Sequence, residues 1–171
     1  TLYSKQKVQV EEHIRGLSGP WCLVRTGWNI GTDEGSRDPV GATYRHLLSG
    51  KAKMAYDNIF TLTDIRDTVN AIIKLVEYDL TGIYHIAANP PVGRTEFADW
   101  IIASSKRGNE MSYQAVAYSE LRFPEPRPRR AWLRNEKFMD EVGYNFISPR
   151  DLVSRKVRQI EIVQAAVGRS A

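Results

Sequence analysis

A tyrosine and a lysine near the start of the sequence have the types and the spacing needed for acid–base chemistry. Tyr3 and Lys7 are four residues apart and Glu11 follows four further on, so in a helix all three side chains project from one face. A phenol must lose about 3 pKa units to be half ionised at neutral pH. An ammonium group about 4 Å away, at an effective dielectric constant of about 20, supplies roughly that much energy. Such a pair can exchange a proton with a carbonyl or hydroxyl oxygen while a hydride moves to or from a nicotinamide.

The same spacing also arises by accident on exposed amphipathic helices. The neighbouring elements must therefore distinguish a catalytic pair from an accidental one. Residues 3–17 contain no Pro or Gly before Gly16 and are rich in Lys, Gln and Glu, which predicts a helix. The apolar run Trp21–Thr26 predicts a buried strand. Residues 27–39 carry three Gly and one Pro, which predicts a loop at the carboxyl end of that strand, where open α/β folds bind their ligands.

Helices and short apolar segments alternate along the rest of the chain. Predicted helices begin at the N-caps Asp38, Asp64, Thr95 and Ser148, with another at about 134–142, and predicted strands cover about 51–56, 82–87 and 113–117. This alternation is typical of α/β proteins. The strands are too few for a complete doubly wound sheet and the first residue is Thr1 rather than Met, so we expect the sequence to be part of a longer chain.

Composition excludes several classes of protein. The sequence has 171 residues, of which 42% are hydrophobic and 26% charged, with a net charge of +4, which is typical of a soluble domain that attracts small anions rather than nucleic acid. No apolar run approaches the roughly 20 residues of a membrane helix, so we expect a cytoplasmic protein with no membrane contact.

The cysteine and the histidines predict no metal site. One cysteine, Cys22, allows neither an internal disulfide nor a multi-cysteine site, and we expect its side chain to be buried. His13 and His46 have no acidic or cysteine partner at metal-ligand spacing. His85, inside a predicted strand, is expected to be a hydrogen-bonded structural residue.

The order of the motifs resembles the second half of the extended short-chain dehydrogenases/reductases, and is most similar to the dTDP-4-dehydrorhamnose reductase branch. The motifs are Tyr3-x-x-x-Lys7-x-x-x-Glu11, Leu23-Val-Arg-Thr-Gly-Trp-Asn-Ile-Gly31, Phe60-Thr-Leu-Thr-Asp-Ile-Arg-Asp67 and Gly82-Ile-Tyr-His-Ile-Ala87. The resemblance implies the C-terminal part of a Rossmann-like fold with a small α/β substrate-binding domain. It also implies four segments: 1–31 with the catalytic helix and the following strand, 32–63 and 105–171 for substrate binding, and 64–104 returning to the sheet.

The resemblance also implies roles for individual residues. Tyr3 is then the catalytic acid/base, and Lys7 assists it and binds the nicotinamide ribose. The cofactor-binding set is Tyr3, Lys7, Thr26, Gly27 and Trp28, the substrate-binding pair is Asn29 and Arg127, and Asp67 has a structural role.

The sequence also departs from the family pattern. It contains neither a glycine-rich phosphate loop nor the upstream Ser or Thr of the catalytic trio, so the N-terminal half that carries both is absent from it. We therefore expect the chain alone neither to bind a dinucleotide tightly nor to catalyse turnover.

Several alternatives stay open within the resemblance. The cofactor is NAD or NADP, and the partner is a nucleoside-diphosphate sugar. Reductase, epimerase and dehydratase share the Tyr and Lys, and some members of the superfamily are catalytically silent regulatory subunits. Members often form homodimers through the helix that carries the Tyr.

Overall fold

The computed structural model describes residues 1–31 and 38–167 and contains six α-helices and nine short β-strands in those ranges. The helices are α1 (Leu2–Arg15), α2 (Pro39–Leu48), α3 (Ile65–Glu77), α4 (Arg94–Ser104), α5 (Glu136–Val142) and α6 (Pro149–Val167). The strands are β1 (Cys22–Thr26), β2 (Trp28–Ile30), β3 (Ala52–Ala55), β4 (Ile59–Phe60), β5 (Leu62–Asp64), β6 (Gly82–Ile86), β7 (Val92–Gly93), β8 (Tyr113–Val116) and β9 (Arg130–Ala131).

The strands form small and mostly parallel sheets. β1 pairs with β6, β2 with β5, and β3 with β8, each in parallel. A fourth sheet has three strands in the order β7-β4-β9, with β4 antiparallel to β7 and parallel to β9. The parallel β1–β6 pair is separated in sequence by α2 and α3, as expected of a crossover connection.

Apolar side chains form two clusters. The larger cluster joins α2, α4 and α6 to the small sheets and includes the fully buried Tyr44, Leu62, Phe97 and Val153. The smaller one packs α3 and α5 on β6 through Leu75, Tyr84, Ile86 and Phe138. The larger cluster therefore holds α2, α4 and α6 on the short strands, whereas the smaller one packs on the β1–β6 sheet.

Helix starts follow the local rules of capping. The Asp38 carboxylate accepts hydrogen bonds from the backbone N–H groups of Val40 and Gly41 at 3.1 and 3.3 Å, with Pro39 in the first turn. The Asp64 carboxylate caps α3 through the Arg66 N–H at 2.8 Å, and the Ser148 hydroxyl caps α6 through the Asp151 N–H at 3.1 Å. These three predicted N-caps are confirmed.

Three local predictions were wrong. α4 begins at Arg94 rather than after Thr95, because the Glu96 carboxylate accepts the Gly93 N–H at 3.3 Å and so places the N-cap at Gly93. Residues 28–30 of the predicted loop form β2, which pairs with β5. Cys22 is exposed, because it is the first residue of β1, which pairs only with β6 among the described strands.

One face of α3 and all of α1 have no apolar covering within the described residues. Val69, Ile72, Ile73 and Val76, whose helical spacing predicts this helix, are 40–72% exposed, whereas Ala71 and Leu75 on the adjoining face are buried. No residue of α1 is buried. A polar contact must therefore hold α1 in place.

Candidate functional site

Tyr3 and Lys7 lie together on the first half of α1. The Lys7 Nζ is 5.5 Å from the centroid of the Tyr3 ring, one helical turn away. The Tyr3 side chain is 67% exposed, so its hydroxyl is open to a ligand. The structure thus brings the predicted acid/base and its cation onto one accessible face.

Glu11 does not extend that pair, because its carboxylate contacts the sheet. The Arg25 guanidinium on β1 donates to it through Nε at 2.8 Å and through Nη2. The Arg25 hydrogen bond holds the pKa of Glu11 below its usual value, and the Glu11 hydrogen bond raises the pKa of Arg25. His85 on β6 lies beside Arg25, with its Nε2 at 3.4 Å from Arg25 Nη1 and its Nδ1 at 2.9 Å from the Arg134 carbonyl oxygen. The hydrogen-bonded structural role predicted for His85 is confirmed.

This ion pair ties α1 to β1. The connection from α1 to β1 covers residues 16–21, and Tyr3 is eight residues before Glu11, which is about 12 Å along a helix. No hydrogen bond, ion pair or ring contact of the described residues joins Tyr3 or Lys7 to the segment from Thr26 to Asn29. Direct contact therefore joins Tyr3 to Lys7 but not to the rest of the predicted cofactor-binding set.

Gly27 allows the chain leaving β1 to pass close to Thr61, the residue between β4 and β5. The Trp28 N–H donates to the Thr61 carbonyl oxygen at 3.0 Å. A Cβ on Gly27 would lie 2.8 Å from that same oxygen and would overlap the Thr61 hydroxyl. A residue other than glycine at position 27 would therefore push β2 away from β5.

Asn29 is tied to the elements around it. Its side-chain oxygen accepts the Thr68 hydroxyl of α3 at 2.8 Å, and its amide nitrogen lies 3.5 Å from the Thr26 hydroxyl. These bonds fix the junction between β1 and β2, where the predicted site residues Thr26 to Asn29 lie.

Trp28 covers an arginine that the sequence analysis did not single out. The Trp28 ring stacks on Phe60 with centroids 4.6 Å apart. The Arg94 guanidinium lies 5.3 Å from the Trp28 centroid, 5.8 Å from Phe60 and 5.6 Å from Phe97. Such a cation between aromatic rings depends on three separate elements, and the spacing of residues in the sequence carries no signal for it.

Arg127 lies apart from the Tyr3 and Lys7 pair, in an exposed loop. Its guanidinium is 5.7 Å from the Phe123 ring, and its carbonyl oxygen accepts the Tyr118 hydroxyl at 3.0 Å. The same loop reaches β4, because the Arg129 carbonyl oxygen accepts the Ile59 N–H at 3.1 Å. No hydrogen bond, ion pair or ring contact of the described residues joins Arg127 to Tyr3 or Lys7.

Asp67 has the structural contacts expected of it. Its carboxylate accepts the Tyr144 hydroxyl and the Ile147 N–H, both at 2.9 Å. It thereby fixes α3 to the segment between α5 and α6. Within residues 1–31 and 38–167, no group of three His, Cys, Asp or Glu side chains is placed to hold a metal ion.

Comparisons with known proteins show which proteins this chain is similar to. The family model described as the RmlD substrate binding domain matches residues 1–161. The chain is 31% identical over 152 residues to the spore coat polysaccharide biosynthesis protein SpsK of Bacillus subtilis (strain 168), a match that covers 88% of this chain and 50% of SpsK.

Solved structures share the fold. A dTDP-4-dehydrorhamnose reductase from Clostridium acetobutylicum superposes with a TM-score of 0.77 at 20% identity, covering 93% of this chain and 55% of its own. The dTDP-4-dehydrorhamnose reductase from Bacillus anthracis in complex with NADP superposes with a TM-score of 0.74 at 21% identity, covering 91% of this chain and 54% of its own. A dTDP-glucose 4,6-dehydratase from Bacillus anthracis in complex with NAD gives 0.73 at 17% identity, with 94% and 52% coverage.

The chain spans about half the length of these relatives. The similarity confirms the predicted fold class, which is the substrate-binding part of Rossmann-like dehydrogenase/reductase folds. No helix among the described residues is long and apolar enough to cross a membrane.

Proposed function

The chain belongs to the family of RmlD substrate binding domains, and on that premise we propose that it is the acid–base and substrate-binding part of an NAD(P)-dependent sugar-nucleotide oxidoreductase. The observation that carries the proposal is the exposed Tyr3 and Lys7 pair on α1, the helix that the bond between Glu11 and Arg25 ties to β1. The relatives whose names include dTDP-4-dehydrorhamnose reductase support a reductase acting on a sugar carbonyl.

The roles of the residues follow from their chemistry. In the reductive direction the Tyr3 hydroxyl gives its proton to the carbonyl oxygen of the sugar as the carbonyl carbon is reduced. The Lys7 ammonium stabilises the phenolate that remains and can donate to a ribose hydroxyl. A nicotinamide dinucleotide supplies the hydride when bound.

The residues on α1 fit such a cofactor. The Tyr3 side chain is exposed, and Lys7 contacts the Tyr3 ring but makes no ion pair within the described residues. Both groups are therefore free to meet a ribose and a carbonyl oxygen. The sequence offers no corresponding site for the phosphates of the dinucleotide, because it has no glycine-rich loop. We propose that a nucleotide-binding half in the complete gene product supplies it.

Exchange of Tyr3 for Phe tests the proposal. In the complete gene product, assayed with NADPH and dTDP-4-dehydrorhamnose, Tyr3→Phe is expected to lower turnover by about 10²–10⁴-fold while the dissociation constant of NADPH stays unchanged. The matched control is Tyr56→Phe, since Tyr56 is 62% exposed and lies at the end of β3. Turnover of Tyr3→Phe equal to that of the control would contradict the role of Tyr3.

The same assay separates the reductase from its relatives. A dTDP-glucose 4,6-dehydratase and the UDP-glucose 4-epimerase from Thermotoga maritima share the fold, with TM-scores of 0.73 and 0.66. Epimerisation and dehydration return the cofactor to its starting state, whereas reduction consumes it. Stoichiometric oxidation of NADPH is expected, and product formation without net NADPH oxidation would favour an epimerase or dehydratase.

A further inference from the structure

Arg94 is a cation in an apolar environment. Its guanidinium lies among the rings of Trp28, Phe60 and Phe97 at 5.3–5.8 Å, and both phenylalanines are buried. Burial lowers its pKa from the usual arginine value. Removing a charge from water costs several kcal/mol unless a partner compensates for it.

The compensation for Arg94 is incomplete. Its Nη2 is 3.5 Å from the Thr43 hydroxyl, which is at the outer limit of a hydrogen bond. Among residues 1–31 and 38–167, the buried Nη1 has no hydrogen-bond partner and no carboxylate forms an ion pair with the guanidinium. Buried polar groups are almost always paired, so this nitrogen is a donor that a bound ligand could use.

The surroundings of Arg94 indicate where that partner would lie. The Arg94 N–H donates to the Asn58 carbonyl oxygen at 2.9 Å. The Asn58 side-chain amide in turn donates to the Arg129 carbonyl oxygen at 2.6 Å. The start of α4 is therefore joined to the loop of residues 121–130, which carries four arginines, and this region of the surface is rich in positive charge.

Trp28 is the one ring of the three that borders solvent. It is 40% exposed, whereas Phe60 and Phe97 are at most 3% exposed. Of the three rings, Trp28 is therefore the one whose displacement would expose the Arg94 guanidinium to solvent.

We propose that Arg94 binds a phosphate oxygen of the nucleotide sugar, with Trp28 as the cover that moves aside when the ligand enters. The planar guanidinium suits a phosphate, because it donates two parallel hydrogen bonds to the oxygens. The assignment rests on the proposed function, since it names the part of the substrate that this chain recognises. It makes Arg94 a determinant of specificity for nucleotide-linked sugars over free sugars.

Calorimetric titration of the complete gene product with dTDP, inorganic pyrophosphate and thymidine tests the assignment. The variants are Arg94→Met, which keeps most of the side-chain length without the charge, and Arg94→Lys, which keeps the charge without the planar guanidinium and its paired N–H donors. Arg150→Met, at an exposed position in the first turn of α6, is the matched control. Arg94→Met is expected to weaken dTDP and pyrophosphate binding about tenfold to a hundredfold and to leave thymidine binding unchanged. The affinities of Arg94→Lys for dTDP and pyrophosphate are expected to lie between those of Arg94→Met and wild type.

Thermal unfolding of the same variants separates binding from structure. If Arg94 serves a ligand, Arg94→Met removes an uncompensated buried charge and leaves the melting temperature equal or higher. Equal dTDP affinity of Arg94→Met and wild type, or no dTDP binding by the wild-type product, would overturn the assignment. Neither result depends on Tyr3, so failure of this proposal and failure of the proposed reaction are distinguishable.

Discussion

At the scale of single residues, the close approach at Gly27 makes a strong prediction. Gly27→Ala is expected to destabilise the chain by about 1–3 kcal/mol, because its Cβ would meet the Thr61 hydroxyl and carbonyl oxygen. The measurement is urea unfolding followed by circular dichroism.

Gly50→Ala is the comparison for that experiment. A Cβ at Gly50 meets nothing within 4 Å, and its φ of +66° imposes only a backbone penalty of about 1 kcal/mol. A Gly27→Ala variant no less stable than Gly50→Ala would show that β2 can move away from β5 at little cost.

Residue types and spacing predicted part of the site. Tyr3 and Lys7 follow from helical spacing, which is a local property, and the structure places them together on α1. Their catalytic roles and the binding roles of Thr26, Trp28 and Arg127 remain predictions. Arg94 could not be found in this way, since its environment is created by side chains from β2, β4 and α4.

At the scale of elements, the attachment of α1 depends on one ion pair. Because α1 buries no residue, Glu11→Gln is expected to cost about 1 kcal/mol of unfolding free energy at pH 7, near the upper end for a partly exposed pair. Arg25 lowers the pKa of Glu11, so this contribution is present above the unfolded pKa of about 4.3 and is lost as the pH falls through the lower folded pKa.

Urea unfolding at pH 7 and at pH 3 measures that contribution. The difference between wild type and Glu11→Gln is expected to shrink at pH 3. Glu12→Gln is the control, since Glu12 is exposed, neighbours Glu11 and has no ion pair in the part of the chain that the structure describes. A difference that stays constant with pH would contradict the role given to the carboxylate.

The two faces of α3 give a second prediction about an element. Ile72→Lys is expected to change the unfolding free energy by less than about 0.5 kcal/mol, because Ile72 is 40% exposed. Ala71→Lys, one residue earlier at a fully buried position, is expected to cost about 3 kcal/mol or more. The measurement is the unfolding free energy from chemical denaturation. Equal losses for the two variants would show that the apolar face of α3 that carries Ile72 is covered.

The long helices and the four longer strands, β1, β3, β6 and β8, follow from the sequence, because a periodic pattern needs several residues to be recognised. β2, β4, β5, β7 and β9 have two or three residues each, too few for an alternating pattern. They form because neighbouring segments offer backbone partners, as when the Ile59 N–H meets the Arg129 carbonyl oxygen at 3.1 Å. Such pairing depends on contacts that are distant in sequence.

At the scale of the whole molecule, the proposed function divides substrate recognition, which it assigns to this chain, from most of the cofactor binding. The larger core, the Trp28 and Arg94 pair and the arginine loop are all contained in these residues, whereas a glycine-rich loop is not. The 171-residue chain is therefore expected to bind dTDP but to bind NADPH only with a dissociation constant above about 1 mM. This limit corresponds to a binding free energy no more favourable than about −4 kcal/mol.

Parallel calorimetric titrations of the 171-residue chain and of the complete gene product measure this division. The complete product is expected to bind both ligands, with the same dTDP affinity as the chain, because the contacts proposed for dTDP lie within the chain. Lys7→Met in the complete product should weaken NADPH binding, because we propose that Lys7 donates to the ribose, and should leave dTDP binding unchanged. Tight NADPH binding by the 171-residue chain would instead mean that α1 and the end of β1 hold a dinucleotide without a phosphate loop.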